Sequence, residues 1–100
     1  MKLALTATPS EAPSAPILLR GKPADVFKLA AELGYDGVEW HLRYPKDVDA
    51  VTVRRLMNDY GLSVPTLGTG MAAAVDGLTF SNPDPAIRRR AVERVKEHIN

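Results

Sequence analysis

The chain has 100 residues, 45% of them hydrophobic, and its 13 basic and 12 acidic side chains give a formal net charge of +1. This length and composition predict one small domain, residues 1–100, with a hydrophobic core, and they exclude a disordered chain. The balanced charge excludes a general attraction to nucleic acid or anionic membranes, and the absence of cysteine excludes disulfides and thiolate metal sites.

The amino-terminal residues 2–8 predict a strand and not a targeting segment. Leu5 and Ala7 alternate with Thr6, so one face is aliphatic and the other is small and polar. The apolar run is too short for a signal-peptide core or a membrane span, so we expect a cytoplasmic protein. Prolines recur through residues 9–22, and because proline continues neither a ladder nor a helix, this segment is predicted to be a long loop.

A helix and the strand that carries the candidate site come next. Pro23 and apolar residues at helical spacing predict a helix that ends at Gly34. In the following strand Glu39 and His41 face one side, while Trp40 and its apolar neighbours face the other. If the apolar side packs on helices, Glu39 and His41 point into whatever the sheet encloses, at the carboxyl end where α/β proteins bind ligands.

A second helix, capped by Asp49, leads to a brief apolar strand over residues 62–67. The next residues, Gly68-Thr69-Gly70, let the backbone approach a ligand closely. The remainder up to Asn82 is predicted to be a second long loop, with a turn at Asp76-Gly77.

The last helix begins near Pro85, with Asn82 or Asp84 as its cap, and its apolar stripe includes Ala91 and Ile99. Strand-helix units in strict alternation predict an α/β fold with a parallel sheet and right-handed crossovers. Three strands with helices on one side leave the other face and two edges of the sheet bare. The chain is therefore expected either to form a homo-oligomer or to be the front of a longer polypeptide.

Several short motifs resemble those of a known family over nearly the whole chain. They are Gly34-Tyr35-Asp36-Gly37-Val38-Glu39, Gly61-Leu62-Ser63-Val64, Gly68-Thr69-Gly70, Asp76-Gly77-Leu78, Asn82-Pro83-Asp84 and the segment 87–95. The chain is similar to the opening third of the sugar phosphate isomerase/epimerase family with a xylose isomerase-like (β/α)₈ TIM barrel. Arg43 with Pro45, and the Gly-Thr-Gly loop, most resemble the 5-keto-L-gluconate epimerase branch of that family.

The resemblance implies the first three βα units of such a barrel, and a ketose 3-epimerase or aldose-ketose isomerase. In this family a divalent cation, usually Mn²⁺ or Mg²⁺, polarises a ketose while two glutamates move a proton through a cis-enediolate. The family's metal ligands and both glutamates come from strands five to eight, so the resemblance implies no catalytic residue and no metal ligand in this chain. It implies a small sugar as the partner. The balanced charge leads us to expect neither nucleic acid nor a membrane as a partner.

Three residues on the inward side of the sheet are candidates for substrate binding. Glu39 is expected to hydrogen-bond a sugar hydroxyl or to order the metal's surroundings; alternatively, it pairs with a neighbouring Lys or Arg. His41 is expected to touch the substrate, or else to be a satisfied polar residue near the sheet end. Thr6 either lines the same pocket or fits the taper of the barrel.

The loops after the second and third strands supply the other candidates. Arg43 is expected to grip a carboxylate or phosphate with its planar fork, or to form a surface ion pair with Asp47 or Asp49. Gly68-Thr69-Gly70 is expected to present backbone amides to a sugar, or to form a plain tight turn.

Two other functions remain open at this point. A DNA-repair member of the same barrel family would cut at abasic sites with a zinc cluster, which needs several histidines at strand ends and a basic groove. A non-enzymatic assembly module would complete its sheet with copies of itself, since both edges are bare.

Overall fold

Four parallel strands and four α-helices make up the computed structural model, which describes residues 1–11 and 16–100. The strands are β1 (Ala4–Thr8), β2 (Leu19–Arg20), β3 (Gly37–His41) and β4 (Leu67–Gly68). The helices are α1 (Pro23–Glu32), α2 (Ala50–Tyr60), α3 (Met71–Asp76) and α4 (Pro85–Ile99), and a single 3₁₀ turn spans Pro45–Asp47. The sheet order is β2-β1-β3-β4, with every neighbouring pair parallel. The predicted α/β class with a parallel sheet is confirmed.

Local signals in the sequence set the helix boundaries. The Asp49 carboxylate accepts a hydrogen bond from the backbone N–H of Thr52 at 2.9 Å, which caps α2 as predicted. Gly61 ends α2 in the left-handed region, at φ 64°, where a side chain would be strained. At the start of α4, the predicted alternative caps resolve to Asp84, whose carboxylate accepts from the backbone N–H of Ala86 at 2.8 Å.

The pairing register places the ends of three strands side by side. Thr6 of β1 lies opposite Glu39 of β3, and His41 of β3 lies opposite Gly68 of β4. Because the strands are parallel, their carboxyl ends meet at the same edge of the sheet. Because side chains alternate along a strand, Thr6, Glu39 and His41 share one face.

The opposite face of the sheet packs against the helices. Trp40 and Val38 are completely buried there, and the ring of Phe27 from α1 lies 6.1 Å from the Trp40 ring, centroid to centroid. The buried apolar residues of this core are Ala7, Val26, Phe27, Ala30, Val38, Trp40, Leu42, Leu56 and Leu62. Burial of a Val, Leu or Phe side chain contributes roughly 1.5–3 kcal/mol, so this layer holds the sheet to α1 and α2. The predicted packing of Trp40 between strand and helix is confirmed.

A short strand lies where the sequence predicts a loop. Within the predicted loop 9–22, Leu19–Arg20 forms β2, which pairs with Ala7 and Thr8 of β1. Residues 12–15 of the same loop lie outside the described residues. A strand of two residues is too short for an alternation of polar and apolar residues to reveal it.

A helix also lies where the sequence predicts a loop. The segment before Asn82 contains α3 because Met71–Asp76 includes three consecutive alanines, and alanine is the best helix former. Gly77 ends α3 at φ 65°. The predicted turn at Asp76-Gly77 is therefore the end of a helix.

The third predicted strand, over residues 62–67, is shorter than expected. Only Leu67 of this segment lies in a strand, together with Gly68, while Ser63 makes an isolated bridge to Gly37. Pro65 lies between these two points, and because proline has no N–H to donate, it interrupts the ladder.

The last helix, α4, is attached through fewer apolar side chains than α1 and α2. Ala91 is its buried residue, in a small cluster with Ala72 and Leu78. Ile99, which the apolar stripe predicts to be in the core, is 77% exposed.

The sheet edges and the helix lengths bear on two further predictions. β2 and β4 are the outer strands of the sheet, so each has a strand neighbour on one side only within the described chain. Association with copies of the chain stays a prediction. Within residues 1–11 and 16–100, no helix is both long enough and apolar enough to cross a membrane.

Candidate functional site

An acid and an imidazole lie side by side on the face of β3 that points away from α1 and α2. The side chains of Glu39 and His41 retain 33% and 24% exposure, and His41 Nε2 lies 3.0 Å from Glu39 Oε1. The Thr6 hydroxyl of β1 donates to Glu39 Oε2 at 3.3 Å. The structure thus brings together three of the residues that the sequence predicts for one face. Among the described residues the partners of Glu39 are His41 and Thr6, and not the alternative Lys or Arg.

The imidazole and the carboxylate can form a hydrogen bond while part of each side chain remains accessible. A neutral imidazole that carries its hydrogen on Nε2 donates it to the carboxylate, which leaves Nδ1 as an acceptor. A protonated imidazole forms an ion pair with Glu39 instead. In both states the carboxylate has lone pairs left for hydroxyl donors, because each of its oxygens accepts more than one hydrogen bond.

Gly68 of β4 lies directly against the His41 ring. A Cβ atom built on Gly68 would lie 2.5 Å from both Cε1 and Nδ1 of His41, which is closer than side-chain carbon atoms approach other atoms. A Cβ atom on Gly70 would meet nothing within 4 Å, so the backbone there borders open space. Thr69 is partly buried between them. The sequence predicts that a ligand approaches the backbone of this loop closely. At Gly68 the group that approaches closely is the His41 ring, whereas the backbone at Gly70 is open.

A small apolar cluster closes the neighbouring end of β1. The Thr8 hydroxyl is buried and donates to Met71 Sδ at 3.4 Å. Met71 packs with Ile17, which precedes β2, and with Val75 of α3. Thus α3 reaches from the end of β4 to the end of β1. The sequence analysis missed α3 because it assigned this segment to a loop, although the run of alanines followed by a glycine is a helix signal.

Arg43 is not paired as predicted. Its planar fork binds both carboxylate oxygens of Asp76, with Nε 3.2 Å from Oδ2, so the predicted ion pair with Asp47 or Asp49 is wrong. Asp47 instead accepts hydrogen bonds from the Ser10 hydroxyl and the Tyr44 backbone N–H, and Asp49 accepts one from the Thr52 backbone N–H. Arg94 of α4 completes the group, since its Nη1 donates to Asp76 Oδ2 at 3.0 Å and to the Arg43 carbonyl at 3.1 Å.

The carboxylate at the centre of this group is stabilised in its charged form. The side-chain hydrogen bond from Arg43, together with that from Arg94, lowers the pKa of Asp76 against the opposing effect of burial. The same hydrogen bond to Asp76 raises the pKa of Arg43. The Tyr44 ring centroid lies 4.3 Å from Arg94 Cζ and 5.3 Å from Arg43 Cζ. The group fastens α3 and α4 to the loop after β3, and it occupies the Arg43 fork.

The described residues do not fit the divalent cation that the resemblance implies. Within residues 1–11 and 16–100, no group of three or more His, Cys, Asp or Glu side chains is placed to hold a metal ion. Glu39 and His41 supply one carboxylate and one histidine, whereas Mn²⁺ and Mg²⁺ prefer octahedral sites made mostly of oxygen ligands.

A cavity of about 350 Å³ lies between α2 and α4, on the helix side of the sheet. Its apolar lining includes Trp40, Met57 and Leu67, and neither Glu39 nor His41 borders it. The candidate site is therefore identified by polar groups on the exposed face and not by the volume of this cavity.

A comparison with protein families matches most of this chain. A family model described as a xylose isomerase-like TIM barrel matches residues 27–100. The matched segment contains Glu39, His41 and Gly68, whereas Thr6 precedes it. A comparison with curated proteins found no match.

Proposed function

We propose, on the premise that this chain belongs to the xylose isomerase-like TIM barrel family, that it forms one wall of the substrate pocket of a sugar isomerase or epimerase. The family includes sugar isomerases, sugar epimerases and AP endonucleases, so membership alone leaves the reaction open. The observation that supports a sugar is the Glu39–His41 pair, which lies on the open face of β3 at the carboxyl ends of the strands.

The charge on this face favours a neutral polyol over a phosphodiester. Glu39 presents a partly exposed carboxylate, which attracts hydroxyl donors and repels phosphate oxygens. Arg43, the predicted anion-binding residue, has its fork on Asp76. Arg43 is therefore not assigned to the substrate in this proposal. For the same reason, we expect hydroxyl groups of a keto-sugar, and not a sugar phosphate group, to contact Glu39 and its neighbours.

In the proposed reaction a proton moves between neighbouring carbons of a ketose through a cis-enediolate. Mn²⁺ or Mg²⁺ would supply Lewis-acid stabilisation of the enediolate oxygen, and it would need ligands other than the described residues. The role of this chain is to bind and orient hydroxyl groups. Glu39 accepts hydrogen bonds from them, Thr6 holds one Glu39 oxygen in place, and His41 holds the other.

The glycine loop contributes a second contact in this proposal. The space beside Gly70 is open, so a hydroxyl group can approach the backbone of Thr69 and Gly70. Because these residues follow directly after Gly68, which lies against His41, such a contact would be close to the pair.

The proposal is tested by turnover in ²H₂O. The complete enzyme that contains this wall of the pocket is supplied with Mn²⁺ or Mg²⁺ and a panel of ketoses and keto-acid sugars, including 5-keto-L-gluconate, and carbon-bound deuterium is measured. We expect Glu39→Gln and His41→Ala to lower kcat/KM about tenfold or more, since a hydrogen bond to a charged group is worth roughly 1.5–3 kcal/mol.

Glu32→Gln is the matched control. Glu32 is exposed at the end of α1, and its substitution by Gln removes the same charge as Glu39→Gln. Unchanged turnover in both site variants would reduce Glu39 and His41 to scaffold. Cleavage of abasic-site DNA without any deuterium uptake by sugars would replace the proposed reaction with the repair reaction.

A further inference from the structure

Gly68 of β4 lies opposite His41 of β3. We propose that Gly68 is a positioning residue, whose missing side chain lets the His41 imidazole lie against β4 with Nε2 on Glu39. This inference rests on the proposed function only where it concerns the substrate, because the steric fit itself involves no ligand.

The requirement for glycine at position 68 is one of space. A Cβ atom there would lie 2.5 Å from His41 Cε1 and Nδ1 and 2.8 Å from Cγ, so the contact involves the ring and not one flexible atom. The backbone conformation makes no such demand, since the glycines with positive φ in the described chain are Gly34, Gly61 and Gly77.

Backbone hydrogen bonding and the buried neighbours of His41 leave β3 and β4 little freedom to separate. The backbone N–H of Leu42 donates to the Gly68 carbonyl at 3.0 Å, which fixes the distance between β3 and the residue that would carry the new atom. His41 is attached to the strand between Trp40 and Leu42, both of which are buried on the other face. The imidazole ring would therefore have to rotate, and rotation breaks its 3.0 Å contact with Glu39.

Gly70 offers a matched comparison two residues away. Its φ is −60°, which any residue adopts, and a Cβ atom there would meet nothing within 4 Å. Alanine at position 70 adds the same methyl group to the same loop without touching His41. It serves here as the control for ring position and stability only.

The first test is the NMR spectrum of the imidazole nitrogens of the protein. The chain has two histidines, so the His41 signals are assigned by comparison with His98→Gln. We expect Gly68→Ala to shift the His41 ring ¹⁵N signals and to remove the signature of a hydrogen-bonded Nε2–H, and Gly70→Ala to leave them in place. Unmoved His41 signals in Gly68→Ala would overturn the inference.

The second test separates ring displacement from general damage to the strand. Overpacking typically costs about 1–3 kcal/mol, so Gly68→Ala is expected to raise the unfolding equilibrium constant on the order of tenfold to a hundredfold. In the background of His41→Ala, which removes the ring, most of that effect should vanish. An equal effect with and without the ring would overturn the inference. If Gly68→Ala alone does not fold, recovery of folding in the double variant supports it and continued failure refutes it.

Neither measurement uses a substrate, so the inference and the proposed function fail separately. Displaced His41 signals together with unchanged sugar turnover in Gly68→Ala would confirm the steric fit and contradict a substrate role for His41. Displaced signals with a loss of turnover that Gly68→Ala shares with His41→Ala would support both.

Discussion

The region made of β1, α1, β3 and α2 and the region made of α3 and α4 are held by different forces. The first contains a core of fully or nearly fully buried apolar side chains that centres on Trp40 and Phe27. The second has a small cluster of Ala72, Leu78 and Ala91, and Asp76 there forms ion pairs with Arg43 and Arg94. Apolar burial follows from sequence periodicity, whereas an ion pair between residues far apart in the sequence does not. The first region was accordingly the easier one to predict.

The largest expected effect tests the apolar region. Trp40→Ala removes a completely buried indole that packs on Phe27, and we expect it to reduce the free energy of unfolding by about 3–5 kcal/mol. Urea unfolding followed by circular dichroism measures the change.

Trp40→Phe is the control for this prediction. It keeps an aromatic ring in the core, and it removes an indole N–H that has no hydrogen-bond partner among the described residues. We expect a loss below about 2 kcal/mol. Equal losses in the two variants would show that ring packing does not dominate this region.

The next effect tests the ionic region. Asp76→Asn removes the charge that two arginines share, and we expect a loss of about 2 kcal/mol in low salt, less than for a fully buried pair because Arg43 is 34% exposed. High salt should reduce this loss but leave the Trp40→Ala loss unchanged. Urea unfolding at two salt concentrations measures both.

The pH dependence of the same variant gives the sign of the effect. The pKa of Asp76 is lowered in the folded chain, so its stabilisation is complete above the ordinary aspartate pKa of about 3.9 and is lost as the pH falls through the lowered value. The difference between parent and Asp76→Asn should therefore shrink below about pH 4. Asp59→Asn, which removes an exposed carboxylate from α2, is the control for the loss of one negative charge. A gap that stays constant down to pH 2 would contradict the ionic account.

The smallest effect concerns the start of α4. Asp84→Ala removes the hydrogen bond to the backbone N–H of Ala86 and should cost about 1 kcal/mol. Asp84→Ser retains a cap and should cost less. Amide hydrogen exchange shows which helices and strands lose stability in Asp84→Ala. Faster exchange confined to α3 and α4 would support the division into two regions. Faster exchange throughout the chain would contradict it.

The sequence is sufficient to place Glu39 and His41 on one face of β3, but it does not predict which residues surround them. Alternation along one strand puts Glu39 and His41 opposite Trp40, because burying the indole fixes which side faces the helices. The partner of Arg43 could not be predicted, since Asp76 is 33 positions away and its location depends on a helix assigned to a loop. Gly68 shows an intermediate case: the sequence indicates a close approach to the backbone there, but only the coordinates identify His41 as the approaching group.

The two ends of α3 are anchored unequally. At its carboxyl end Asp76 makes ion pairs with two arginines, whereas at its amino end Met71 has a thioether contact with Thr8 and apolar neighbours. A thioether is a weak acceptor that tolerates displacement. If α3 shifts relative to the sheet, we expect the end beside Gly70 to be displaced more than the end at Asp76, because ion pairs hold the carboxyl end and a weak acceptor holds the amino end. The carboxyl end of α3 is therefore the end that resists displacement.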